Sequence, residues 1–140
     1  MMVFLVNGFI VAFAVVIHYE ALHWLTRTLP RIPVVHRARI VLGVLGALVA
    51  HAVEVWIFAI AYYLLTMRLG WGSLGGTFDG TLLDCVYFSF TVFSTLGFGD
   101  IFPQGEIRYL VGIESRTGLV LITRAPTVLF YEMQRNWSQS

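Results

Sequence analysis

Apolar residues run almost unbroken from Val3 to Ile17 and continue through His18, Tyr19, Ala21, Leu22 and Trp24, reaching the roughly 20 residues that a helix needs to cross a hydrocarbon core. No basic residue precedes Val3 and no small-x-small site follows the run, so the pattern predicts an anchoring helix over a cleaved leader. A second apolar stretch, Ile40 to Met67, is 28 residues long and is expected to cross at a tilt. A third, Thr81 to Ser94, has only 14 residues, short for a crossing and suited to a re-entrant helix. Ile107 to Met133 supplies the last full crossing. The pattern predicts an all-α membrane protein of three transmembrane helices and one re-entrant helix.

The intervals between these runs set the orientation. Pro30 and Pro33 break the chain between Thr26 and Arg39, a segment that also carries Arg27, Arg31, Arg37, Arg39 and His36. Arginines concentrated in one short loop place it in the cytoplasm, which puts the N-terminus outside and Gln134 to Ser140 inside. Arg68 to Gly80 contains Gly70, Gly72, Gly75, Gly76 and Gly80 and reads as an external loop with too much backbone freedom for a helix. Asp79 or Thr81 caps the short helix; with Thr81, Asp84 falls at N3 and completes a capping box. Trp24, Trp56, Trp71 and Trp137 read as interface anchors or lipid-facing residues.

Composition narrows the function classes. The 140 residues are 58% hydrophobic and 12% charged with mean hydropathy +0.79, and nine arginines against eight acids leave a formal charge of +1, which excludes a strongly basic nucleic-acid-binding surface. One cysteine, Cys85, rules out an internal disulfide, and no CxxC or Cys/His cluster suggests zinc. His18 and His23, with Glu20 between them, share no helix face suited to a metal. No convergent nucleophile or cofactor motif is present, so neither an enzyme nor a resident cofactor is expected.

The segment that carries chemistry is Ser94-Thr95-Leu96-Gly97-Phe98-Gly99-Asp100. Gly97 and Gly99 permit positive φ, and alternating left- and right-handed residues aim successive carbonyls to one side. Four such strands offer stacked oxygen rings that replace the water of a potassium ion. A glycine-rich strand between hydrophobic segments is tolerated at membrane depth only where it lines a wet cavity. The run resembles the potassium-channel selectivity filter, and outer helix, pore helix, filter and inner helix follow in that family's order from Arg39 to Met133. The resemblance divides the chain into residues 1–38, an added helix and cytoplasmic linker, and 39–140, a pore module with outer helix 40–67, pore helix 81–94, filter 95–100 and inner helix 107–133. It implies potassium bound by the carbonyls of Thr95, Leu96, Gly97 and Phe98 and the Thr95 hydroxyl, with Gly99 completing the coordinating run and Asp100 at the outer mouth. Phe98 stands where most members carry tyrosine, and Thr91 where some carry a glutamate that braces the filter aspartate. Gly118 aligns with the inner-helix hinge; Pro126 breaks that helix before a bundle crossing near Phe130, and Ile122 completes a gate set spaced by four.

His51, Glu54, Glu114, Arg116 and Arg124 lie within the spans, where charge is costly and usually paired or functional. Glu114, one turn above Gly118, is expected behind the pore helix with Thr91, Ser94 and nearby backbone as partners, anchoring the filter. Counting about 1.5 Å per residue places Glu54 roughly 21 Å and Arg116 roughly 26 Å from the cytoplasmic ends, which predicts a Glu54–Arg116 pair. Arg124 is expected to snorkel or to bond His51. The expected protein is a homotetrameric, potassium-selective, multi-pass channel of the cell membrane. The alternatives are a non-selective cation channel and a non-conducting scaffold or accessory subunit that keeps the pore fold.

Overall fold

The computed structural model describes residues 1–137; residues 138–140, the end of the expected cytoplasmic tail, lie outside it. The chain is mostly helical. Helix α1 (Met2–Thr28) runs into a single 3-10 turn (Leu29–Arg31), and α2 (His36–Met67) follows. Both are long and apolar enough to cross a membrane. Next come strand β1 (Gly72–Gly76), helix α3 (Leu82–Phe93), strand β2 (Ile101–Gly105) and helix α4 (Ile107–Trp137).

The break between α1 and α2 is tighter than the prolines and arginines suggest. Pro30 sits in the first turn of the 3-10 helix, where a missing donor costs nothing. Only residues 32–35 are non-helical, and α2 starts four residues before Ile40. Pro126 likewise does not break its helix: α4 continues through it to Trp137.

The all-α expectation needs one correction. β1 and β2 pair antiparallel, with Gly72 opposite Gly105 and Gly76 opposite Ile101, so the glycine-rich segment after α2 is ordered sheet in its middle. Its glycines serve close approach: a Cβ on Gly76 would fall 1.9 Å from the Asp100 carbonyl oxygen, and one on Gly72 would fall 2.2 Å from that of Gln104. Their φ values, 87° and 147°, are also ones that other residues rarely adopt. Pro103 is tolerated because a two-stranded sheet leaves an unpaired edge.

Helix α3 starts as its sequence dictates. Thr81 Oγ1 accepts from the Asp84 backbone N–H at 3.1 Å, and the Asp84 carboxylate accepts from that of Thr81 at 3.2 Å. The Thr81 hydrogen bonds, supported by the backbone N–H of Asp79, hold the Asp84 carboxyl below its ordinary range. The buried face of α3 packs between α2 and α4, where Phe58, Tyr62, Phe88, Val92, Phe93, Ile107 and Leu110 form the main apolar core. A second cluster joins Leu22, Leu25 and Leu29 to Ala47, Ala125 and Leu129. There Leu25 seats on Gly46, whose absent Cβ would meet Leu25 Cδ1 at 2.6 Å. Small residues of this kind let membrane helices approach closely.

Candidate functional site: the strand after the short helix

The end of α3 hands its backbone directly to the strand that follows. The Thr95 N–H donates to the Val92 carbonyl at 2.9 Å, and the Gly97 N–H reaches back to the Thr91 carbonyl at 3.0 Å. Beyond that point φ is positive at Thr95 (62°), Gly97 (52°) and Gly99 (83°), while Leu96 and Phe98 between them keep ordinary negative values. Thr95 is the only non-glycine residue with positive φ among the described residues, a strain that usually marks functional backbone. Left-handed residues in alternation with ordinary ones turn successive carbonyls toward one side, and Ser94 to Asp100 are all exposed in the single chain.

The Asp100 end of this segment is fixed from two directions. Thr77 N–H donates to the Asp100 carbonyl at 2.9 Å, and Tyr87 Oη donates to its carboxylate at 2.7 Å. The tyrosine is half-exposed on α3, and the hydrogen bond to Asp100 raises its pKa. This hydrogen bond spans 13 residues of sequence. Its signal in the sequence is a tyrosine hydroxyl on a mostly apolar short helix.

Behind α3, Glu114 is fully buried and accepts from Tyr62 Oη and Ser89 Oγ. Ser89 Oγ also lies 3.0 Å from the Val55 carbonyl. Glu114 thus lies behind the short helix as its position implies, but the partners differ from those expected. Thr91 Oγ1 bonds the Phe88 carbonyl and Ser94 Oγ the Phe90 carbonyl, each within its own helix turn. Gly118 is also buried here, and a Cβ on it would fall 2.1 Å from the Phe93 carbonyl oxygen. It serves contact between α4 and the end of α3. Ile122, Pro126 and Phe130, by contrast, are exposed, because steps of four advance about 40° each around a helix and carry them off the packed face.

The expected Glu54–Arg116 pair does not form. Glu54 is fully buried and accepts from His18 Nδ1 at 2.8 Å and His51 Nδ1 at 3.2 Å; Arg116 is exposed, with no ion pair among the described residues. Depth along two helices matched the two charges, but rotation about their axes did not. Arg124 lines a cavity of about 380 Å³ between α1 and α4, together with His18, Tyr19, His23 and Thr26, and has no hydrogen bond to His51.

Two membrane-length helices, a short helix between sheet strands and an exposed strand of alternating handedness define a membrane channel subunit. The family profile described as "Ion channel" matches residues 50–135, and the chain belongs to that family, the two-transmembrane ion channels that include potassium channel pores. Helix α1 precedes the match. No curated protein and no solved structure matches the chain.

Proposed function

We propose that four copies of this chain form a potassium-selective channel, with α2 as outer helix, α3 as pore helix, Thr95 to Asp100 as filter and α4 as the third crossing and inner helix. The observation that carries this reading is the alternation of positive φ at Thr95, Gly97 and Gly99. It suits carbonyl rings of Thr95, Leu96, Gly97 and Phe98, completed by Gly99 and the Thr95 hydroxyl, which replace the hydration shell of the ion. The exposure of this strand in one chain supports assembly, since backbone left bare at membrane depth needs partner copies or a wet cavity. Arg27, Arg31, Arg37 and Arg39 at the end of α2 remote from the sheet support a cytoplasmic α1–α2 turn, an external N-terminus and an internal C-terminus.

Four arginines ringing a narrow pore would repel cations. Arg124 borders the cavity shared with α1, which supports a position at the periphery of the assembly. Arg116 lies two residues from Gly118, about 200° around the helix from the face packed on α3, which supports a direction away from the filter. Purified protein in liposomes should pass potassium in strong preference to sodium under equal gradients. Equal fluxes would leave a non-selective cation channel, and no flux a scaffold that keeps the pore fold.

A further inference from the structure

The group least explained by conduction is the cluster around Glu54. This carboxylate has no exposure, and its two oxygens face Nδ1 of His18 from α1 and Nδ1 of His51 one turn back on α2. The imidazole rings lie nearly parallel, with centroids 5.4 Å apart. One ligand atom from each of the three residues lies within 4.8 Å of the others. Around a tetrahedral ion with bonds of about 2.0–2.1 Å, neighbouring ligand atoms stand roughly 3.3 Å apart; the separations of 2.8 Å from Oε1 and 3.2 Å from Oε2 are near that value, and the carboxylate turns to present one oxygen, or both, to an ion between the rings.

Charge points the same way. The buried carboxylate has only two imidazoles as partners, at a depth where charge is costly, and no arginine pairs with it among the described residues. The proton of His18 has a second place on its ring. Its Nε2 is buried without a hydrogen-bond partner, so no contact holds Nε2 as an acceptor, and the proton that Nδ1 donates to Glu54 can move to Nε2 when an ion takes Nδ1. His18 also borders the α1–α4 cavity, which gives an ion an approach and leaves room for a water or chloride as fourth ligand.

We propose that His18, His51 and Glu54 form a binding site for a divalent first-row transition ion, with Zn2+ the fitting choice for two imidazoles and one carboxylate. The ion clips α1 to α2 beside the filter base, because the His51 ring also packs on Phe93, with centroids 5.9 Å apart. The site stands independently of ion selectivity, and its test reads binding alone. Full-length protein in detergent, stripped with chelator, is titrated with Co2+ and followed by its visible d–d bands, then back-titrated with Zn2+. Expected are one Co2+ per chain with a tetrahedral spectrum, displacement by Zn2+, affinity lowered by at least about 100-fold in His51→Gln, and no change in His23→Gln. Absence of Co2+ bands from the unaltered protein overturns the site whether or not a variant folds. So does a folded His51→Gln protein that binds as well as the parent, or equal losses in His23→Gln and His51→Gln.

Discussion

Ser89 carries one hydrogen and faces two acceptors, the Val55 carbonyl and the Glu114 carboxylate. A carboxamide at position 114 adds a donor toward Ser89 and frees its hydroxyl for Val55, whereas an alkyl side chain leaves the hydroxyls of Tyr62 and Ser89 without their shared partner. Glu114→Gln should therefore be mild, and Glu114→Leu should lower stability by about 1–3 kcal/mol, as read from thermal unfolding of the detergent-solubilised protein. Equal tolerance of both would show that this network does not anchor α3. Tyr87→Phe removes the hydrogen bond to Asp100 and nothing else. At about 1 kcal/mol it should shift the balance between the braced and unbraced segment about fivefold toward the unbraced state and lower steady potassium flux; unchanged flux would mean that Thr77 and the sheet alone hold the Asp100 end. The filter residues were legible because their chemistry is contiguous. The partners of Glu114 lie 25 and 52 residues away, and His18, which completes the Glu54 cluster, lies 36 residues from it on another helix.

At the scale of elements, the helices followed from apolar run length and from the Thr81–Asp84 cap. The sheet did not, because glycine-rich strands lack the alternating side chains by which strands are read. Gly118 shows the same limit: alignment suggests a flexible joint, while the packing shows a surface cut back to admit the end of α3. Gly118→Ala places a methyl group against the Phe93 carbonyl and should destabilise by about 1–3 kcal/mol. Gly112, exposed on the same helix with nothing within 4 Å of a Cβ, is the control. Gly112→Ala should be neutral or stabilise by up to about 1 kcal/mol, since alanine favours helix. If both changes proved neutral in thermal unfolding, α4 would be free to move away from α3 at no cost.

For the whole molecule, assembly and ion occupancy should be linked. An ion that binds only the assembled filter stabilises it in proportion to the logarithm of its concentration. The oligomer should therefore dissociate at a higher temperature in potassium than in sodium at matched ionic strength, checked by size-exclusion chromatography after heating. Identical profiles in the two salts would detach the filter from assembly. The pairing of β1 with β2 has a consequence for how such an assembly forms. By fastening Gly72–Gly76 to Ile101–Gly105, it closes residues 77–100 into a loop within one chain, so the entropy of bringing those ends together is already spent before copies meet. In the proposed assembly the pore segment would then reach its partners as a finished cassette, able to be grafted between the outer and inner helices of another subunit with its own clasp attached.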